Sequence, residues 1–341
     1  MTTTTPIAKP AAATIIEGYI INGTAGQPAL ANVPVNIYVL HADNSVVSQT
    51  IQSDAQGKFV ADVISATHGD TIYGEVVYKN LNFFNGPVAY GLDLTATLPI
   101  TVFESTQDTT KVNIDALHIV AVPDTTGLQV SEIYVLSNSG DRYVAGFGQP
   151  ILHLSLPNGA TSISPDPNMP ADTLISNGDG VDYYDAIPVG SKSTQIVFQY
   201  HLTGSSFVLD RPVLQNVGVV NLLLQSDVAQ LRGVSDQFNS QGAQPIQGQT
   251  YQQFSAQNLK PGDKLSFRIE TAVGPVNWPV ILGVGLIGLG LIGLIIWQVQ
   301  QRRGLKSAPK QQVAEATQAD QDALIDQIAA LDDLHAAGKV D

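Results

Sequence analysis

The sequence predicts a mainly β protein: two tandem antiparallel β-sandwich domains, then one C-terminal transmembrane helix and a short cytoplasmic amphipathic helix. Three observations predict it. Short apolar runs separated by turn-forming residues recur from about residue 14 to residue 273. Residues 279–297, PVILGVGLIGLGLIGLIIW, are nineteen uncharged positions, almost all aliphatic or glycine. Nothing before that stretch has the pattern of a long amphipathic helix.

Residues 1–13 are rich in Thr, Ala and Pro and read as a disordered leader. The first strand candidates are TIIEGYII (14–21), VPVNIYVL (33–40), KFVADVI (58–64) and TIYGEVVY (71–78). In VPVNIYVL, Val33, Val35, Ile37 and Val39 share one face, as a half-buried strand requires. NGTAG (22–26), ADN (42–44), DAQG (54–57) and HGD (68–70) supply the turns. In the hairpin SDAQGKF (53–59), Asp54 can accept backbone hydrogen bonds, Gly57 can take positive φ, and Phe59 carries the returning strand into the core.

EGYIINGTAGQPALANVPVNIYV (17–39) followed by SDAQGKF resembles the carboxypeptidase regulatory-like family, a small prealbumin-like β-sandwich. The pattern is a strand with Gly18, an NGT-x-G turn, Pro34 opening the next strand, then the hairpin. The resemblance spans residues 14–105 and implies a sandwich that accompanies another module and is not itself a catalyst. LQVSEIYVLSNSGDRYV (128–144) is similar to stretches of membrane-anchored bacterial exported proteins.

A second set of strand candidates follows a boundary at FESTQDTTK (103–111): 112–122, 128–136, 149–157, 194–202, 216–225 and 264–273. These define a second domain over 106–274. Between its strands, residues 157–190 form a long Pro, Gly and Asp-rich surface excursion. Within it, Asn177, Asp179, Asp182 and Asp185 place oxygen donors at near-alternate positions, which makes them candidate Ca²⁺ ligands. The spacing departs from an EF-hand loop, since Val181 stands where a ligand is wanted and no Glu closes the loop. An Asp/Gly-rich solvated turn accounts for the same residues.

As a helix the apolar stretch would rise ~28 Å, close to the ~30 Å hydrocarbon core of a bilayer. The chain's two tryptophans, Trp278 and Trp297, bracket it as interfacial residues would, so the span is expected over 278–298, in contact with membrane lipid. Arg302, Arg303, Lys306 and Lys310 follow at once and predict a cytoplasmic C-terminus, with the large N-terminal part outside the cytoplasm. MTTTTPIAKPAAAT has no apolar core of a signal peptide. The true start then lies upstream or the chain is processed; a cytoplasmic sandwich is the remaining option. The span's glycines, at 283, 285, 288, 290 and 293, include no pair four apart, though Gly283 and Gly290 share a face.

In the tail (299–341), residues 311–337 read as an amphipathic helix whose stripe includes Leu324, Ile328 and Leu331, a surface for a partner helix. LIDQIAALDDLHAAGKVD (324–341) resembles the first half of helical-hairpin tails in bacterial membrane and cytochrome-biogenesis proteins, which implies a chain truncated at its C-terminus.

Composition narrows the chemistry. The net charge is −14, of which −12 falls in residues 1–276, so phosphate backbones are repelled and nucleic acid is not an expected partner. The absence of cysteine removes disulfides, thiolate metal sites and thiol redox chemistry. None of the six histidines begins an HxxE, HxxxH or HxH pattern, and there is no GxSxG elbow or phosphate-binding glycine loop. His118, His153 and His201 fall inside β runs and read as partly buried sandwich residues. The expectation is a noncatalytic, membrane-anchored exported protein without a cofactor, whose β domains or tail helix engage a protein partner. Alternatives are an accessory subunit of a membrane complex, such as cytochrome c maturation or transport, and a carbohydrate- or ligand-binding module or unrecognised hydrolase using the 157–190 excursion, where Tyr183 and Tyr184 could stack on a sugar although adjacent strand positions point to opposite faces.

Overall fold

The computed structural model describes residues 14–271, with short breaks at 29, 64–65, 91–94, 168, 171, 226–228, 233–236 and 247–248. The expected leader, span and tail, and with them Trp278, Trp297, Arg302, Arg303, Lys306, Leu324, Ile328 and Leu331, lie outside the described residues. Every regular element among the described residues is a strand, and no helix there is long and apolar enough to cross a membrane.

The N-terminal strands are β1 (Thr14–Asn22), β2 (Pro34–Leu40), β3 (Val46–Gln52), β4 (Lys58–Val63), β5 (Thr71–Tyr78), β6 (Leu81–Ala89), β7 (Thr95–Thr97), β8 (Ile100–Val102) and β9 (Ser105–Thr106). They build one sheet of order β4–β1–β7, with β8 pairing further along β1, and another of order β3–β2–β5–β6. Ile16, Ile20, Val35, Ile37, Val39, Phe59, Ile72 and Leu98 meet in one buried cluster. In β2 the inward residues alternate with Pro34, Asn36 and Tyr38, so the period of two survives into the structure. The hairpin before β4 forms as its residues dictate. Asp54 Oδ1 accepts from the amides of Gln56 and Lys58 at 2.8 Å each, Gly57 takes φ +79°, and Phe59 is buried.

Gly18 earns its place by close approach. A Cβ there would lie 2.0 Å from the Leu98 carbonyl oxygen and 2.4 Å from the ring of Phe59, its cross-strand neighbour. Only a residue without a side chain lets the 98–100 segment, which links β7 and β8 alongside β1, approach that closely.

The remaining strands are β10 (Val112–Pro123), β11 (Gly127–Asn138), β12 (Tyr143–Val144), β13 (Leu152–Ser155), β14 (Ala160–Pro165), β15 (Leu174–Asn177), β16 (Gly180–Tyr183), β17 (Gly190–Thr203), β18 (Ser206–Pro212), β19 (Val217–Gln225), β20 (Ala229–Arg232), β21 (Asn239–Ile246), β22 (Gln249–Leu259) and β23 (Lys264–Thr271). A seven-stranded sheet of order β14–β17–β11–β10–β19–β22–β21 shares a second buried cluster with two three-stranded sheets, β13–β16–β15 and β18–β23–β20. On the seven-stranded sheet's other face, Val120, Val122, Ile133 and Leu223 are buried outside that cluster. Burial on both faces explains why LHIVAV and VVNLLLQ read as nearly continuous apolar runs.

Two expectations change. Two of the sheets are mixed, not purely antiparallel: β7 and β8 run parallel to β1, and β19 runs parallel to β10. Each of these pairs joins segments far apart in the chain, where no tight hairpin imposes opposite directions. The excursion over 157–190 is also more than surface. Its Leu174, Val181 and Tyr183 are core residues, hidden in the sequence by the Asp and Gly residues around them.

Candidate functional site

The expected Ca²⁺ residues fall on and beside the β15–β16 hairpin. Asn177 ends β15, Gly178 turns with φ +56°, Asp179 stands at the tip, and Asp182 lies in β16 opposite His153 of β13. Leu152 and Leu154 face the core, so the ring of His153 lies on the outer side of β13, over Gly180.

There His153 becomes the centre of the cluster. Its Nδ1 lies 2.7 Å from Asp182 Oδ1, and its Nε2 lies 3.4 Å from Asp179 Oδ1. Asn177 donates its amide to the other oxygen of Asp182 at 2.6 Å. Asp182 is buried, whereas the Asp179 side chain is 88% exposed. Gly180 makes room for the ring: a Cβ would stand 2.8 Å from Nε2 and 2.5 Å from the Leu154 carbonyl oxygen.

Asp185 is placed elsewhere. Its Oδ1 accepts the Ala186 amide at 2.7 Å, and it borders an open cleft of about 280 Å³ with Met169, Pro170, Thr173, Tyr183 and Pro188. Asn177, Asp179 and Asp182 thus gather around His153, whereas the contacts of Asp185 lie at the cleft. Among the described residues no three His, Asp or Glu side chains converge as a metal-binding group. Tyr183 is 2% exposed and Tyr184 half-buried, so the pair offers no common stacking platform.

A second arrangement joins the two clusters of core residues. Tyr143, from the C-terminal part, packs its ring against both Phe83 and Phe103, with centroids 5.0 and 5.5 Å away, and the two phenylalanines lie 6.5 Å from each other. Strand β12 pairs in parallel with β9; Tyr143 N–H donates to the Glu104 carbonyl and Ala145 N–H to that of Thr106, both at 2.9 Å. The Ala25 amide reaches Asp141 Oδ2 at 3.1 Å. Glu104 is the polar centre: its amide donates to Thr24 Oγ1 at 2.8 Å, while Lys79 and the Tyr78 hydroxyl donate to its carboxylate. The Lys79 and Tyr78 contacts hold that carboxyl below its ordinary range, against the opposing effect of burial. Aromatic packing, a strand ladder and a charge-assisted network thus meet at one seam.

Sequence reasoning missed this seam and a buried ion pair in the C-terminal core. Glu132, fully buried, accepts from Tyr134 and Tyr200 hydroxyls at 2.7 and 2.8 Å and from Arg211 Nη1 at 2.9 Å. Arg211 Nη1 also donates to the Ser155 carbonyl at 2.7 Å. Burial is the largest single effect and works against the charge on Arg211, but Glu132, Tyr134 and Tyr200 together outweigh it and raise the guanidinium's pKa. The signal was present in the alternation: Val130, Glu132, Tyr134 and Leu136 share one face, as do Phe207, Leu209 and Arg211.

No family model matches the chain, and no curated protein matches it. Among solved structures, the full-length major pilin SpaD from Corynebacterium diphtheriae is similar to it at 8% identity. That match covers 78% of this chain and 88% of the pilin with a TM-score of 0.22, a level at which the likeness carries no argument.

Proposed function

We propose that the protein is a noncatalytic, membrane-anchored exported protein. In this reading, sandwich domains at 14–105 and 106–274 hold a protein-binding surface outside the cytoplasm, and the 278–298 span and the tail follow inward. The observation that carries the reading is the seam: Tyr143, Glu104 and the β9–β12 ladder couple two cores that a flexible linker would leave independent. Such coupling suits a part that presents a surface at a set geometry relative to its anchor. The 19-residue apolar stretch with cations behind it supports the anchor and its orientation.

Topology tests the reading directly, since the chain has no cysteine of its own. Ser137 is a poor reporter because it is buried and donates to Asp115 at 2.6 Å; Ser48 is exposed on β3. In intact cells, a membrane-impermeant maleimide is expected to label Ser48→Cys and not Ser307→Cys. Labelling at 307 with protection at 48 would reverse the orientation and end the proposal.

The coupling has its own test. Tyr143→Ala removes a half-buried ring from the Phe83–Phe103 contact and is expected to cost about 2 kcal/mol, below the range for fully buried aromatics. Urea unfolding should then separate into two steps, where the parent protein unfolds in one. A single unshifted transition would show that the seam does not couple the cores.

A further inference from the structure

We infer that His153 Nε2 and Asp179 Oδ1 form a two-ligand site for a transition-metal dication, zinc or copper(II), with water completing the coordination. This inference is independent of membrane attachment.

The spacing is the first argument. Two ligands ~2.0–2.1 Å from a tetrahedral zinc ion lie about 3.4 Å apart. The two atoms are 3.4 Å apart, close enough to chelate one ion with little rearrangement.

The second argument is the support behind the imidazole. Asp182 Oδ1, 2.7 Å from Nδ1, makes that nitrogen the donor and leaves the Nε2 lone pair on the side of the ring near Asp179. Asn177 in turn holds the second oxygen of Asp182. A buried carboxylate that orients a histidine, itself hydrogen-bonded from behind, is the arrangement that fixes metal-bound histidines and raises their basicity. Gly180 leaves the space in which the ring lies.

Access and selectivity complete the case. The His153 side chain is 32% exposed and Asp179 projects into solvent at the hairpin tip, so an ion reaches the pair without opening the fold. Imidazole favours zinc and copper over calcium, so the identity of the cation departs from the Asp/Asn reading of the sequence. With one nitrogen and one oxygen from this chain, the remaining positions stay open to water or to an exogenous ligand.

The test is calorimetric titration of the full chain, purified in mild detergent without a histidine tag, with zinc chloride and separately calcium chloride. One zinc ion per chain is expected. Asp179→Asn and His153→Gln should each weaken binding at least about tenfold, and Asp182→Asn about tenfold through the lost orientation of the ring. Asp179→Asn alters an exposed side chain, so its result does not depend on the fold surviving. Copper(II) resonance spectra of the parent should show nitrogen coupling that His153→Gln removes. Absence of zinc binding, zinc binding unchanged in Asp179→Asn and His153→Gln, or preference for calcium would each overturn the assignment.

Discussion

Arg211→Met is expected to destabilise the C-terminal core by about 3–5 kcal/mol, the range for removing one partner of a buried ion pair. The methionine fills much of the same space, so the loss is electrostatic more than steric. Glu132 would be left at 0% exposure without its cation, with only the hydroxyls of Tyr134 and Tyr200 as partners. The Ser155 carbonyl would lose its donor as well. Urea unfolding followed by far-ultraviolet circular dichroism measures the change. The double variant Glu132→Gln/Arg211→Met supplies the control: with the charge gone, more than half of the lost stability should return. A single-variant loss under about 1 kcal/mol would mean that water reaches the carboxylate and that the pair is not insulated.

Gly18→Ala is expected to cost about 3 kcal/mol, the upper part of the range for overpacking a well-filled core. The added methyl would meet the Leu98 carbonyl oxygen at 2.0 Å and its carbon at 2.8 Å, and backbone atoms cannot swing aside as a side chain can. Relief requires the 98–100 segment to lift from β1, which loosens Leu98 and Ile100, both fully buried. Gly26→Ala is the contrasting variant: it has positive φ but open space around it, so any loss there reports backbone conformation alone. The two glycines should separate clearly in denaturant midpoint. An equal, small effect at both would show that the 98–100 segment is not tightly packed against β1.

The strands were legible where alternation was clean. Val35, Ile37 and Val39 face inward as the period of two demands, and the Asp54–Gly57 turn forms by the bonds its residues offer. Gly18 was visible as part of a pattern, but its reason was not, because the Leu98 backbone that it accommodates lies 80 residues away in sequence. The same distance problem hid the site around His153. The acidic residues of the hairpin are adjacent in sequence and drew the eye to a calcium loop, whereas the histidine that organises them comes from a strand 29 residues earlier. Glu132 and Arg211 broke the rule that charges lie outside; each sat at an inward position of its strand, and only the pairing explains how both are tolerated there.

The seam also bears on how the protein comes into being. Tyr143 reaches Phe83 and Phe103 only after β10 and β11 have been made, since both precede it in the chain. During synthesis from the N-terminus, the first β cluster therefore waits with an uncovered aromatic socket until residue 143 has left the ribosome. A fragment cut at the apparent boundary near residue 105 would keep that socket bare and would be prone to self-association. A fragment extended through Ala145 contains the missing ring and the β12 partner, although it must also carry the β10–β11 hairpin. The boundary suggested by sequence and the boundary at which the first half becomes self-sufficient are thus some forty residues apart.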